Sequence, residues 1–400
     1  MPTGRAPERS RELPQRLDRA MSGRPVFVAG VGIHPFGRFA DESVTELAQA
    51  AVVEALREAG VGRGGFAAAF CGTVYTGVAA GHKVLTGLGL SGVPIVNVEA
   101  GCASGGAALS LGAAQIASGQ HETVLVFGME KMPKGIIRSS FFPPWCEEAG
   151  LSPAPAYFAL RARRLMQESG VTREHLARVS VKNHANGVHN PFAMYRKPFT
   201  LEAVLGSATV CDPLTVFMLC SPNEGSAAVV LSARPGPVGP PVEVRAAILR
   251  SHLMGSVLGE HTPMSGLVDD RVPSPTELAA RDAYELAGVG PENLDVVELQ
   301  DTDCGREILS IEELGLCPRG GGGRFVADGV GDMSGRLPIN PSGGLLSKGE
   351  PLGASALGQI VELVWQLRGA AGKRQVEGAR CALGHTVGRG ANASVVILTR

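Results

Sequence analysis

The sequence predicts an α/β fold built from two similar halves, and two observations support this prediction. Apolar runs of strand length alternate with segments of helical periodicity, which is typical of layered α/β domains with mostly parallel strands. The helical segment at 44–61 is also echoed at 275–289, with Thr45 and Thr276 in equivalent places 231 residues apart. This repetition indicates a duplicated βαβ unit, whose helix starts and loops would surround a shared cleft.

The bulk composition excludes several classes of function. The chain has 400 residues, 44% of them hydrophobic, which is enough for a large core, and its net charge of -1 argues against a nucleic-acid or anionic-membrane partner. The eight cysteines are scattered without a CxxC pair, so neither a zinc site nor a disulfide framework is predicted. No apolar run is long enough to span a bilayer. We therefore expect a cytoplasmic protein without a bound metal.

The first half begins after residues 1–24, an Arg- and Pro-rich stretch without a signal-peptide core that is predicted to be a disordered tail. A buried strand is expected at "PVFVAGVG". The next segment is predicted to be an amphipathic helix, because Ser43 is a suitable N-cap with Glu46 three residues later and Gly60 ends the pattern. Two strands, a helix of small residues and another strand follow, at "AAFCGTVY", "VPIVNVEA", "SGGAALSLGAAQIASG" and "ETVLVFGME".

The second half repeats this order after two interruptions. Residues 133–222 mix proline, aromatic and polar residues, which indicates a loop or lid insertion over the core. A Pro- and Gly-rich linker near residue 240 then separates an N-terminal half, 25–240, from a C-terminal half, 241–400. The C-terminal half has its own helix, strand, small-residue helix and final strand, at "PTELAARDAYELAGV", "LDVVELQD", "PLGASALGQIVELVWQLRG" and "SVVILTR".

Cys102 is the residue with the strongest local signal for chemistry. It lies in "VNVEAGCASGGAAL", between a strand and a helix of small residues. A strand-to-helix turn presents its side chain at a helix N-terminus, where the helix dipole and free N–H groups favour a thiolate and an oxyanion. Most cysteines are inert buried residues, but these surroundings favour a nucleophile.

Six stretches resemble the thiolase superfamily, in particular the SCP-x (sterol carrier protein 2) type, over about residues 25–400. They are "VNVEAGCASGGAALSLGAAQIASG", "VLVFGMEKM", "VSVKNHANGVHNPFAMYRKPFT", "DPLTVFMLCSPNEGSAAVVL", "VVELQDTDCGREILSIEELGLC" and "NPSGGLLSKGEPLGASALGQIVELVWQLRGAAGKRQVEGA". The resemblance implies a five-layer αβαβα fold with a loop domain, a homodimer, and an acyl thioester such as acyl-CoA as substrate, with no cofactor.

The resemblance also implies roles for individual residues. Cys102 matches the family's acyl-accepting nucleophile. His385 matches the C-terminal active-site loop, and Asn340 opens a segment that the family places near its catalytic loop. Gly388 and Gly390 are expected to bring backbone close to the substrate.

The chain departs from the family's pattern at two motifs. Where members usually have "GHP" it has "GEP", so Glu350 replaces a histidine that helps activate the nucleophile. Where SCP-x thiolases have "HDCF" it has "QDTD", so Gln300 replaces the oxyanion histidine and can still donate through its amide. Cys304 is displaced by two positions from the family's acid/base cysteine and is not assumed to substitute for it. Asp301 or Asp303 would place a second carboxylate near Glu350. Two neighbouring carboxylates raise the pKa of one of them, which makes it a usable general acid or base.

Three functions remain open from the sequence. The first is an acyltransferase that loads Cys102 from a thioester and passes the acyl group to a carbon, amine or hydroxyl acceptor in specialised biosynthesis. The second is a retro-aldolase acting on acyl-CoA esters with an OB-fold, zinc-ribbon partner, as some thiolase-like proteins do. The third is a non-catalytic subunit that binds acyl-CoA.

Other features receive plainer interpretations. Arg163, Arg164 and Lys182 are suitable for CoA phosphates but are better explained as a solvated face. His184 is expected to shape the insertion rather than to catalyse. The apolar stretch "FFPPW" at 141–145 suggests a lid or a partner surface.

Overall fold

The structure is a computed structural model. It describes residues 23–135, 137, 144–150, 152–253, 272–388 and 392–400. The predicted tail 1–24 therefore lies almost wholly outside the described residues, as do Gly390 and residues 141–143 of the "FFPPW" stretch. Within the described ranges, no helix is both long enough and apolar enough to cross a membrane.

The N-terminal half follows the predicted order of elements with one addition, a short helix between the second and third strands that the sequence analysis did not predict. In chain order they are β1 (Phe27–Gly37), α1 (Val44–Glu58), β2 (Ala68–Gly72), α2 (Ala80–Gly87), β3 (Ile95–Val98), α3 (Ser104–Ala117) and β4 (Thr123–Lys131). The predicted N-cap of α1 is present: Glu46 N donates to Ser43 Oγ at 3.2 Å, and Ser43 N donates to the Glu46 carboxylate at 2.7 Å. This reciprocal pair satisfies two backbone donors that the helix start would otherwise leave open.

The insertion lies between β4 and the last strand of the first half. Its elements are α4 (Pro144–Glu148), α5 (Ala154–Ser169), α6 (Arg173–Gly187), α7 (Leu201–Leu205), β5 (Thr209–Cys211) and β6 (Leu214–Thr215), after which β7 (Glu224–Ser232) rejoins the main sheet. Tyr157 of α5 and Leu176 of α6 share one apolar cluster with Ile308 of the C-terminal half. The insertion therefore packs onto the second half as well as extending from the first.

The C-terminal half repeats the pattern. Its elements are β8 (Glu243–Ser251), α8 (Pro275–Ala287), β9 (Val296–Leu299), α9 (Cys304–Glu313), α10 (Gly322–Ala327), α11 (Gly344–Lys348), α12 (Leu352–Arg368), β10 (Cys381–Gly388) and β11 (Asn392–Thr399). Ser274 and Glu277 cap α8 with the same reciprocal pair as Ser43 and Glu46, at the same spacing of 231 residues. The duplication inferred from the sequence is thus visible down to the helix cap.

Within the described residues, nine strands pair in the order β3-β2-β4-β7-β1-β8-β11-β10-β9. The first five belong to the N-terminal half and the last four to the C-terminal half, and the halves meet where Phe27 pairs with Glu243. Among the strands that the structure describes, the parallel pairs are β2 with β3, β2 with β4, and β9 with β10. The expectation of mostly parallel strands is therefore wrong, because β7 and β11 each run back antiparallel beside the preceding strand of their half.

The symmetry extends to the outer edge of each half. In the first half β3 lies parallel to β2, whereas in the second half Ile339 makes a single parallel bridge to Val297 of β9. The segment before α11 thus occupies the place that β3 holds in the first half.

Alternating side chains show that each half of the sheet is covered on both faces. In β4, Val126 packs into a central core with Leu357 of α12, whereas Phe127 packs toward α1 and α2. In β11, Val396 joins the same central core, whereas Ile397 packs toward α8. Helices α3 and α12 therefore form a middle layer between the two halves of the sheet, which gives the five-layer αβαβα arrangement with a loop domain.

The middle layer depends on glycines at the closest contacts. A Cβ added at Gly128 would lie 2.1 Å from the Gly353 carbonyl oxygen, and one added at Gly353 would lie 2.5 Å from the Met129 carbonyl oxygen. A Cβ at Gly72 would meet Gly105 N at 2.8 Å. The first turns of α3 and α12 therefore rest directly on strand backbone, at distances that only glycine allows.

We expect Gly128→Ala to destabilise the protein by about 1–3 kcal/mol or more, because overpacking against a rigid backbone forces the α12 N-terminus away from β4. The measurement is the free energy of unfolding from urea denaturation. Gly62→Ala is the matched control, since nothing lies within 4 Å of a Cβ at Gly62. Equal stability of the two variants would contradict this account of the packing.

Candidate active site

A cavity of about 620 Å³ lies where the two halves and the insertion meet. The first half contributes Cys102, the chain just before β7 contributes Cys220, and the second half contributes Gln300 and Glu350. Most of the remaining lining comes from apolar residues, including Phe158 of α5. In the described part of the chain, no group of three or more His, Cys, Asp or Glu residues is arranged to hold a metal ion.

Cys102 lies two residues before α3 and is 7% exposed. The turn that carries it is fixed by Ser104, whose hydroxyl donates to the Gly101 carbonyl at 2.6 Å and accepts from Ala100 N at 2.9 Å. Gly388 packs on the same turn, since a Cβ there would lie 1.9 Å from the Ala100 carbonyl oxygen. The close backbone approach expected of Gly388 is therefore made to the cysteine turn.

Glu350 is buried in the cavity wall just before α12. Its backbone N–H donates to the Ser221 carbonyl at 2.9 Å, which fixes the chain. One carboxylate oxygen accepts from Gln300 Nε2 at 2.8 Å, and the other accepts from Cys220 Sγ at 3.4 Å. A glutamate that is 5% exposed and bonded through both oxygens belongs to the site and is not a solvated loop charge.

Gln300 is held in one orientation by the backbone. Its Oε1 accepts from Val387 N at 2.6 Å, so its Nε2 faces Glu350. One of the two amide N–H bonds is thus used to position the carboxylate. The oxyanion contact that the sequence predicted for Gln300 would have to come from the second.

Cys220 is the partner that sequence reasoning missed. Burial raises the pKa of its thiol well above the ordinary value, and the charge of Glu350 and the hydrogen bond to it add to the effect. Cys102 is also close enough to raise the pKa of Cys220. Cys220 therefore stays protonated and donates, so a second thiol lines the cavity in direct contact with the predicted base. Its contact with Glu350 spans 130 residues of chain, and no local motif signals it.

His385 does not line the cavity, although it was predicted to be catalytic. It lies fully buried in β10, with Nε2 3.0 Å from Thr276 Oγ1 of α8. Burial, with the nearby charge of Arg306, lowers the pKa of His385 well below its ordinary value, so the ring is neutral. The contact between His385 and Thr276 links α8 to the sheet.

Asn340 also lies outside the cavity lining. It has a left-handed backbone with φ of 55°, and its Oδ1 accepts from Leu299 N at 2.9 Å. Its Nδ2 donates to Glu307 at 2.8 Å. Asn340 thus fixes the end of β9, and with it the position of Gln300 one residue further on.

The two aspartates of the "QDTD" segment make their contacts away from Glu350. Asp301 accepts from Leu345 N at 2.6 Å and from Leu346 N at 3.1 Å in the first turn of α11, and burial raises its pKa well above the usual range. Asp303 caps α9 and forms an ion pair with Arg161. Neither lines the cavity beside Glu350. Cys304 is fully buried in the apolar cluster shared with the insertion, so it does not take the place of the family's acid/base cysteine.

Two of the plainer interpretations can be compared with the structure. Lys182 was assigned to a solvated face, but its side chain is only 9% exposed and its Nζ lies 2.8 Å from Glu307 Oε1. His184 packs edge-on against Phe199 with ring centroids 4.6 Å apart, and burial lowers its pKa to about 4. A neutral, apolar-packed His184 fits the structural role predicted for it.

Comparisons with known proteins agree with this architecture. Residues 26–212 match the family described as "Thiolase, N-terminal domain", and residues 260–400 match the one described as "Thiolase C-terminal domain-like". The chain is 38% identical over 394 residues to an acetyl-CoA acetyltransferase of Methanothermobacter thermautotrophicus, covering 94% of this chain and the whole of that protein. It is 36% identical over 394 residues to sterol carrier protein 2 of Oryctolagus cuniculus, covering 93% and 71% of the two chains.

A solved structure described as "Ltp2-ChsH2(DUF35) aldolase" superposes with a TM-score of 0.79 at 26% identity, covering 94% of this chain and 97% of the other. The identity to full-length relatives and the two matched domains together decide the family. The chain belongs to the thiolase family and is a thiolase-like enzyme of the acyltransferase class.

Proposed function

We propose that the protein takes an acyl group from a thioester such as acyl-CoA onto Cys102 and passes it to a second substrate, with Glu350 as the acid–base group. The observation that supports this most directly is the placement of the Glu350 carboxylate. It is buried in the same cavity as Cys102, and Gln300 and Cys220 orient it.

In the first half-reaction, Cys102 attacks the thioester carbonyl. The bond from Cys102 Sγ to the acyl carbon forms, the bond from that carbon to the CoA sulfur breaks, and the thiol proton passes through Glu350 to the departing thiolate. A neighbouring carboxylate disfavours a free Cys102 thiolate, so proton removal and attack are coupled. The helix start behind Cys102 favours the negative charge that develops on the carbonyl oxygen.

In the second half-reaction, Glu350 removes the proton of the acceptor, which attacks the acyl carbon. The bond to Cys102 breaks, and the proton held by Glu350 returns to the cysteine sulfur. An acceptor that attacks through carbon, an amine nitrogen or a hydroxyl oxygen is compatible with this proton transfer. A carboxylate is suited to this step because it can accept a proton. Glu350 lies in the cavity wall, where the acceptor would approach it.

A second candidate function is carbon–carbon bond cleavage by a retro-aldol route, together with an OB-fold partner. The structural likeness to a chain in an aldolase assembly supports it. In that reaction Glu350 would remove a hydroxyl proton from the substrate, and Cys102 would not form a bond. The two functions therefore differ in whether an acyl-enzyme appears.

We also propose that the protein is a homodimer. Strand β3 pairs with β2 on one side and forms the end of the sheet, and Val96 on it is 43% exposed. An edge of this kind pairs readily with a second copy. Sedimentation as a monomer at micromolar concentration would contradict the dimer.

Incubation with acyl-CoA should add one acyl mass to the wild-type protein, and Cys102→Ala should abolish the adduct. Intact-protein mass spectrometry followed by peptide mapping measures this. Cys381→Ala is the control, because Cys381 is buried at the far end of β10, away from the cavity. An adduct that persists in Cys102→Ala would exclude the acyl-enzyme route, and turnover that persists without any adduct would favour the lyase.

We expect Glu350→Gln to slow turnover by about 10²–10⁴-fold, because the amide retains the shape but cannot take a proton. Glu350→His should restore part of the acylation rate without restoring transfer to the acceptor. Single-turnover acylation and steady-state turnover are measured separately for both variants. Wild-type turnover in Glu350→Gln would remove Glu350 from the mechanism.

A further inference from the structure

Two arginines line the same cavity and have no part in the steps above. Arg161 is 7% exposed and Arg306 is 6% exposed. Buried cations are stable only where anions or acceptors compensate them. Their presence in a substrate cavity raises the question of which substrate group they meet.

Arg161 ends an otherwise apolar face of α5. Ala154, Tyr157, Phe158 and Arg161 line the cavity at helical spacing, so the wall changes from apolar side chains to a guanidinium along one helix. The guanidinium lies over the Phe158 ring, 5.1 Å from its centroid, and forms an ion pair with Asp303. These contacts fix its position at the cavity wall.

Arg306 lies in the first turn of α9, facing the same space. Its Nε donates to Ser310 Oγ at 2.9 Å, and one terminal nitrogen forms an ion pair with Glu313. Its other terminal nitrogen, Nη1, meets no protein acceptor among the residues that the structure describes. A guanidinium nitrogen of a largely buried side chain that lines a cavity and has N–H bonds to spare is a binding group for an anion.

We propose that Arg306, supported by Arg161, binds a carboxylate on the acyl chain, so that the preferred donors are thioesters of dicarboxylic acids. This inference rests on the proposed function and names its substrate class. Gln300, Thr302, Arg306 and Glu350 all line the same cavity, so a substrate held in it can meet both the guanidinium and the proposed acid–base group. A planar carboxylate meets the guanidinium fork with two hydrogen bonds, which an uncharged chain end cannot do.

The phosphates of CoA are the other source of anionic groups. They are large and strongly hydrated, and the two arginines are more than nine-tenths buried in a cavity that several apolar side chains line. A carboxylate at the end of a short acyl chain fits this position better. The test below compares two thioesters with identical CoA phosphates, so a phosphate contact would give no preference between them.

The experiment measures the affinity of succinyl-CoA and butyryl-CoA, which share a four-carbon acyl chain, for Cys102→Ala by isothermal titration calorimetry. Cys102→Ala cannot be acylated, so this result does not depend on the transfer step. We expect succinyl-CoA to bind about 10- to 100-fold more tightly. Equal affinities, or tighter binding of butyryl-CoA, would overturn the proposal.

A second arm adds Arg306→Gln and Arg306→Lys to the same background. Arg306→Gln should remove the preference for succinyl-CoA and leave butyryl-CoA affinity within about twofold, while Arg306→Lys, which keeps a partner for Glu313, should retain part of it. Arg163→Gln, an exposed position on the same helix as Arg161, is the control and should change neither affinity. Weaker binding of both thioesters by the same factor in Arg306→Gln, with the preference for succinyl-CoA unchanged, would assign Arg306 a purely structural role and overturn the proposal.

Acylation of the wild-type protein tests the acyl-enzyme mechanism separately from the preference for a carboxylate. If Cys102 is loaded by both thioesters at equal rates, the acyl-enzyme stands and the carboxylate specificity is wrong. If no adduct forms but succinyl-CoA still binds preferentially, the carboxylate site stands and the transfer mechanism is wrong.

Discussion

The backbone contact between α12 and the strands of the other half is the constraint on which the site depends. Gly128 and Gly353 allow the first turn of α12 to rest on β4, and Gly72 and Gly105 do the same for α3 on β2. Each helix starts two residues after a side chain that lines the cavity, Cys102 for α3 and Glu350 for α12. Because the two halves are related by duplication, the same local geometry presents one residue from each half to a common cavity.

A buried polar network then fixes the wall that carries Gln300. Glu298 accepts from Ser342 N at 2.9 Å and from Ser342 Oγ at 2.6 Å, with Lys348 Nζ at 3.4 Å. Asn340 and Glu307 add the contacts that hold the end of β9. A network of this kind is stable only when its members are satisfied together, so it rigidifies the strand end beside the cavity. Precise placement of one amide at Gln300 therefore depends on groups that touch no substrate.

Local signals in the sequence predicted local structure, and the site only in part. The cap at Ser43 and the small-residue helices follow from patterns within twenty residues, and the repeat follows from comparing two such patterns 231 residues apart. Cys102 and Glu350, which the local sequence and the family resemblance singled out, both line the cavity. The Cys220–Glu350 contact and the inward turn of Lys182 depend on chain segments more than 120 residues apart. The position of His385 was misjudged for a similar reason: strand pairing with β9 and β11 directs its side chain toward α8, and a motif match carries no information on which face of a strand is used.

The partners of Glu350 limit what it can do in place of a histidine. Gln300 Nε2 and Cys220 Sγ both donate to it, so its two oxygens are acceptors in the resting site. A histidine at this position can accept with one nitrogen while donating with the other, and thereby hold an oxyanion, whereas a carboxylate only accepts. Stabilisation of the thioester oxygen must then come from elsewhere, from the backbone at the start of α3 or from the second N–H of Gln300. In the proposed mechanism, the two tasks of one histidine are therefore divided between neighbouring groups, and Glu350 is left with proton transfer alone.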